Sequence, residues 1–473
     1  LFTVPFLISA QELEEETSFY VEPSFSENNL SYQETATFVY SANGIYFYLD
    51  QLEWSLKTDE EKTEYKELLK DVSERFKQNR SKIVAVFGTE KTPGIDNDPN
   101  ITILMYPMKD GASGYVRTID QYEKIIAPMS NQKEMMYINS KEMESPFIDA
   151  FLIHEFTHLI NINNKGNQLD DTWLAELYSE YTASILEEDD TIYSYLDQRV
   201  RDFYSNYSDA LLLWEGKLKD YGMVTILSRY IADNYGEKVL TDAMKSSKTG
   251  IESMNEALSR NGYEDDFEDL YRNFLIALAI NNCTKSDKYC FKTTKLETLK
   301  VLPFNNFLPY TGEATISIGQ SIYNYAPQWQ KFSGGSGELD IDFDGGDDAD
   351  FSVTYIAEKA NGKMIVGDFE LNEEKQGTLL LSNMGEEYSS VIIIPRVEDS
   401  EMDADSYKKF NYSIIANVIP QQEEQEEQIE EEQSTGLLET VFNITKPLNE
   451  LSKQELLILI VKILLIKNGY EIN

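Results

Sequence analysis

Residues 151–161 read Phe-Leu-Ile-His-Glu-Phe-Thr-His-Leu-Ile-Asn. His154 and His158 are four apart, so on a helix their imidazoles share one face and can turn toward one ion. Glu155 follows the first histidine and can reach a water held by that ion, the HExxH zinc-hydrolase pattern. The whole chain of 473 residues contains only these two histidines. Two histidines placed at random would fall four apart on the order of 0.5% of the time, and requiring Glu after the first lowers this roughly tenfold again. Phe151, Leu152, Ile153, Phe156 and Leu159 predict a buried helix, in which two histidines without a ligand would be costly.

Zinc in a catalytic site takes three protein ligands and leaves one position open. With no third histidine and distant cysteines, the third ligand must be a carboxylate. Residues 173–181 read Trp-Leu-Ala-Glu-Leu-Tyr-Ser-Glu-Tyr, placing Glu176 and Glu180 four apart on a second helix. The polar stretch Asn163–Asp171, with Gly166, lets the chain turn and bring that helix back across the first. Glu176 is read as the ligand and Glu180 as the acceptor for a ligand histidine's N–H; exchanging the two roles is the alternative.

This arrangement resembles the gluzincin metallopeptidases, where HExxH is followed by a helix of the form Trp-Leu-x-Glu. More narrowly, the chain resembles the hyicolysin family of bacterial secreted metallopeptidases. The stretches that carry the likeness are Asp110–Val116, Ser130–Ile138, the motif with Leu159-Ile160-Asn161, Trp173–Glu176, Tyr230–Gly236, Ser247–Ala257 and Tyr271–Asn281. The resemblance spans residues 36–282. It implies one Zn²⁺ per chain and an endopeptidase acting on protein or peptide substrates. It also implies a mixed N-terminal subdomain and a helical C-terminal one, with the metal between them. Leu177 is a departure, since relatives usually have Gly there. Tyr221, within Lys217–Leu227, stands in a context similar to the catalytic tyrosine of aminopeptidase-type gluzincins. The resemblance makes it the second donor to the developing oxyanion, with Tyr178 and Tyr181 as rivals. Glu134–Ile138 is the expected strand for binding substrate backbone.

The composition agrees with a folded, exported protein. Hydrophobic residues make up 41% and aromatics 12%, too many for a disordered chain. Lys+Arg number 41 and Asp+Glu 83, a net charge of −42, which makes nucleic acid and anionic membrane surfaces poor partners. Cys283 and Cys290 are expected to form a short-loop disulfide in an oxidising compartment. Leu1–Ala10 reads as the end of a signal peptide, implying secretion or attachment to the cell envelope. No other run reaches the roughly 20 apolar residues of a transmembrane segment.

The expected fold class is multidomain. An acidic, poorly ordered leader occupies 11–35. An α+β zincin catalytic domain of the gluzincin type follows over 36–305, with 36–163 strand-rich and ending in the active-site helix, and 164–305 helical. Strands are expected at Ala36–Tyr40, Ile45–Leu49, Ile83–Phe87, Ile101–Tyr106 and Glu134–Ile138, with a helix over Asp59–Gln78. Ser145-Pro146 reads as the start of the motif helix. Later helices are expected at Thr172–Glu187, Gly222–Asn234, Glu237–Ser246, Gly250–Arg260 and Phe267–Ile280. Residues 312–420 alternate like an all-β sandwich, loosely similar to accessory domains of secreted bacterial peptidases that bind substrate or cell surface. An acidic linker (421–436) and a helical tail (437–473) complete the chain; Ser452 and Glu455 form a capping box before a short apolar helix suited to docking or self-association. Asp340–Asp350 offers oxygen ligands of the kind Ca²⁺ takes, but it lacks EF-hand spacing and reads better as a solvated acidic hairpin. The leading functional expectation is a secreted zinc metallopeptidase with Glu155 as general base. The alternatives are an exported binding or adhesion protein on an inactive peptidase scaffold, and a zinc hydrolase of non-peptide amides.

Overall fold

The computed structural model describes residues 14–27, 32–166, 168–186, 193–346, 349–399, 407–420 and 450–467. Leu1–Ala10, the 421–436 linker and the first part of the tail lie outside these residues. The chain opens with β1 (Glu16–Tyr20), β2 (Gln33–Ala42), β3 (Ile45–Asp50), α1 (Gln51–Leu56), α2 (Asp59–Phe87), β4 (Ile101–Tyr106), β5 (Gly114–Tyr115) and β6 (Met135–Asn139). The strands form one mixed sheet in the order β1-β2-β3-β4-β6-β5. β3, β4 and β6 run parallel, and β5 returns antiparallel as the edge.

Three expectations need correction in this half. The acidic leader is not unstructured as a whole: Glu16–Tyr20 pairs with Gln33–Thr37, because Phe19 alternates inward and is buried. Ile83–Phe87 is not a strand but the last turns of α2. Ile83 and Phe87 are four apart and continue the buried stripe of Leu69, Val72 and Phe76, so helical period overrides β-branched composition. The motif helix starts after the Ser145-Pro146 signal, at Ile148, while Ser145 Oγ accepts from Phe147 N at 3.3 Å.

The helical half contains α3 (Ile148–Lys165), α4 (Thr172–Ser184), α5 (Tyr195–Ser205), α6 (Leu218–Tyr235), α7 (Glu237–Met244), α8 (Gly250–Arg260) and α9 (Phe267–Ile280). α5 is absent from the sequence expectation. The expected disulfide joins Cys283 and Cys290, with sulfurs 2.04 Å apart.

Nine strands follow: β7 (Phe304–Leu308), β8 (Ala314–Tyr323), β9 (Gln330–Gly334), β10 (Gly337–Asp344), β11 (Phe351–Lys359), β12 (Met364–Asp368), β13 (Gln376–Met384), β14 (Tyr388–Val397) and β15 (Lys409–Ile419). They fall into two groups, β12-β11-β14-β9-β7 and β13-β10-β15-β8, whose strands pair, among the described residues, where Met384 meets Tyr388 at the β13–β14 turn. Phe343 and Tyr412 of one group pack against Phe351 of the other, giving a sandwich-like core. The expected boundary near 305–312 does not separate two independent cores. Tyr325 and Trp329 are buried in the core of the helical half. Tyr271 donates to Tyr325 O at 2.8 Å, and Trp329 Nε1 donates to Leu275 O at 3.2 Å. A last helix, α10 (Lys453–Lys467), carries the expected cap, with Glu455 N donating to Ser452 Oγ at 3.3 Å. Among the described residues, no helix is long and apolar enough to cross a membrane.

Candidate metal centre

α3 is buried over most of its length and packs against β5 and β6. Gly166, at φ +61°, ends it in a conformation that favours glycine. The return to α4 is pinned by Lys165. Its buried amine donates to Ala243 O (3.1 Å) and Ser246 O (3.2 Å) and pairs with Asp170 Oδ2 at 3.1 Å. Asp170 in turn accepts from Gly250 N at 2.8 Å. Trp173, Leu174 and Leu177 then turn into the core and leave Glu176 facing α3. Leu177 is fully buried, so the larger side chain is absorbed by core packing.

The ligand atoms converge. His154 Nε2 lies 3.2 Å from His158 Nε2 and 3.1 Å from Glu176 Oε2, and His158 Nε2 lies 3.7 Å from Glu176 Oε2. Ligands about 2.0–2.1 Å from a tetrahedral ion are separated by about 3.3–3.4 Å, so these three separations bracket the edge of such a tetrahedron. Among the described residues, His154, His158 and Glu176 are the one group of three or more that could hold a metal ion. Glu155 Oε2 is buried without a hydrogen bond, an orphaned polar atom beside the cluster of the kind a bound water would satisfy.

Glu180 is fully buried and lies behind His154, with Oε1 3.2 Å from Nδ1. With a metal ion on Nε2, His154 would be neutral and would turn its Nδ1 proton toward Glu180. Four further contacts hold the carboxylate. Arg199 donates from Nε to Oε2 (2.8 Å) and from Nη2 to Oε1 (2.7 Å), the Tyr195 hydroxyl donates to Oε1 (2.8 Å), and Thr225 Oγ1 lies 2.8 Å from Oε2. Burial would raise Glu180, but the Arg199 charge and the His154 hydrogen bond hold it down at about 2. Glu176 is likewise lowered against its burial, by the His158 charge and the His154 hydrogen bond. Burial depresses His154, yet hydrogen bonds to Glu176 and Glu180 outweigh it and push it up to about 10. Glu155 is raised by burial.

Tyr221 is brought to this cluster. Its ring centroid lies 6.2 Å from that of His154, and it packs edge-on against Trp214 at 5.0 Å. The Glu176 charge and burial raise its hydroxyl, which therefore stays protonated and able to donate. The rivals are placed elsewhere. Tyr181 donates to Glu237 Oε1 at 2.9 Å, and Tyr178 is enclosed near Ser253. The expected substrate strand needs correction, because β6 lies between β4 and β5 and the open edge beside Glu155 is β5. The Asp340–Asp350 carboxylates are partly engaged within the sandwich: Asp342 accepts from Thr378 Oγ1 at 2.6 Å and Asp344 from Gly346 N at 3.0 Å.

Sequence reasoning missed Arg199, Tyr195, Thr225 and Gly114. For the first two a signal existed: Ser194 and Asp197 form a capping box that starts α5, and Tyr195 and Arg199 share one face of that helix.

Neither a family model nor a curated protein matches the chain. Solved structures are similar over about a quarter of it. The Yersinia pseudotuberculosis-derived mitogen is 14% identical, covering 24% of this chain and 91% of that one, with a TM-score of 0.17. The Aeromonas hydrophila periplasmic inhibitor of g-type lysozyme, PliG, is 11% identical over 24% and 96%, with a TM-score of 0.19. The pre-peptidase C-terminal domain of a Bacillus anthracis collagenase is 9% identical over 24% and 98%, with a TM-score of 0.17. Likeness at this level carries no argument about function.

Proposed function

We propose that the chain is a secreted zinc metallopeptidase of the gluzincin type, similar to the hyicolysin family. The observation that carries this reading is the convergence of His154, His158 and Glu176 beside a buried, unbonded Glu155 oxygen. His154, His158 and Glu176 would hold the ion, and Glu180 would orient His154. A zinc ion there supplies Lewis-acid polarisation of a carbonyl and a water. Glu155 takes the proton from the attacking water and later delivers it to the leaving amine. Tyr221 donates to the carbonyl oxygen as charge develops on it. The open edge of β5 pairs with the substrate backbone and presents the scissile bond to Glu155. The apolar Leu1–Ala10 segment and the Cys283–Cys290 disulfide fit export. The sandwich would bind a large substrate or the cell surface.

The test is metal analysis of the purified chain together with casein hydrolysis, with and without a chelator. About one zinc per chain and chelator-sensitive hydrolysis are expected. His154→Ala should lose both, because two remaining ligands hold zinc weakly. A zinc-loaded chain that leaves casein and peptide substrates intact would replace this reading with that of a binding protein on an inactive scaffold.

A further inference from the structure

The buried guanidinium of Arg199 does two things at once. Its N–H edge is spent on Glu180, through Nε and Nη2, and on Asp202, where Nη1 donates to Oδ2 at 3.0 Å. Its Cζ sits over the Tyr221 ring, 4.9 Å from the centroid, and over the Tyr195 ring at 4.7 Å, and Nη2 also donates to the Tyr195 hydroxyl. Only a planar, delocalised cation can offer an edge to a carboxylate and a face to an aromatic ring together; a lysine ammonium is a point charge. Glu180 stands behind His154, and Tyr221 stands beside it. Arg199, on α5, a helix that contributes no ligand, therefore touches both Tyr221 and the carboxylate behind His154, alongside the direct Tyr221–His154 ring contact and the Thr225–Glu180 contact.

We propose that Arg199 is a positioning residue that couples the orientation of His154, through Glu180, to the placement of Tyr221. The kinetic part rests on the peptidase reading; the metal-affinity part does not. Loosening Arg199 weakens metal binding and misplaces Tyr221, and removing the Tyr221 ring, which packs on both Arg199 and His154, weakens metal binding.

The experiment compares Arg199→Lys, Tyr221→Phe and Tyr221→Leu with the wild-type chain. Zinc affinity is measured by competition with a chromophoric chelator, the ligand field by the absorption of the cobalt-substituted protein, and kcat and KM at saturating zinc. Arg199→Lys is expected to lower zinc affinity on the order of 10- to 100-fold and to shift the cobalt bands. It should lower kcat with KM little changed. Tyr221→Phe keeps the ring and should keep zinc affinity, whereas Tyr221→Leu removes the ring and should lower it. A purely structural residue would lower the thermal midpoint and leave the affinity, spectrum and kcat of the folded protein unchanged; that result overturns the proposal. Equal zinc affinity of the Phe and Leu variants overturns it as well, also where Arg199→Lys does not fold. If the wild type binds zinc but hydrolyses no peptide, the peptidase reading fails while the affinity comparisons still judge Arg199.

Discussion

A Cβ on Gly114 would stand 3.0 Å from Glu155 Oε1 and 2.8 Å from Tyr137 O, so the edge strand passes over the proposed base with no room for a side chain. The Tyr137 carbonyl belongs to the β5–β6 pairing and cannot retreat without breaking it. Gly114→Ala should therefore displace β5 or the Glu155 carboxylate. Misplacement by about 1 Å is enough to cost on the order of 10²-fold in rate. The expected outcome is a loss of kcat/KM of about 10- to 100-fold with zinc retained; a fully active alanine variant would rule out β5 as the substrate-binding edge.

Glu155→Gln should separate base from ligand. The amide has nearly the same shape and lies outside the three-residue cluster, so zinc content should hold at about one per chain. It cannot accept the water's proton, and kcat should fall by about 10²- to 10⁴-fold. Near-normal turnover would remove Glu155 from the mechanism.

Tyr221→Phe should lower kcat on the order of 10²-fold, as for loss of one oxyanion donor, with KM little changed. The ring contacts with Trp214 and Arg199 survive the change, so the thermal midpoint should barely move. A rise in KM at constant kcat would make the hydroxyl a substrate-binding group instead.

Cutting the chain near residue 310 should not release a stable catalytic unit. It removes Trp329 and Tyr325, which fill the core beside Tyr271 and Leu275. Trp329→Ala in the full chain should cost about 3–5 kcal/mol. Differential scanning calorimetry checks both: a fragment melting where the full chain melts would show two independent cores after all.

Glu398 sits in the seam between sandwich and helices, paired with Arg396 at 2.9 Å. Burial pushes its carboxyl up to about 7, with Glu268 and Asp266 adding repulsion. A folded-state value above the unfolded one means the group favours folding below about pH 4.5 and loses that contribution as pH rises through about 7. Glu398→Gln does not titrate. Relative to the variant, the wild type should lose up to about 3 kcal/mol between pH 5 and pH 8. Parallel denaturation curves across that range would refute the assignment.

The local part of the site was legible in the chain. Two histidines four apart with an intervening Glu155, and a second helix with Glu176 and Glu180 four apart, depend only on helical period. α8 and α9 begin and end where their apolar spacing places them, and the cysteine pair closes a loop short enough to read. Period also explains the failure at Ile83–Phe87, where β-branched composition was weighed above a stripe that continued α2.

What the chain alone left open involves contacts between residues distant in sequence. Sequence spacing could not say whether Glu176 or Glu180 faces the imidazoles, because both lie on one helix face. The crossing of α4 over α3 decides it, with Lys165 and Asp170 pinning the turn. Arg199 reaches Glu180 across 19 residues, Thr225 reaches it across 45, and Gly114 meets Glu155 from the edge of the sheet. These approaches are set by how buried faces pack, and packing is a property of the assembled core that no window of sequence contains.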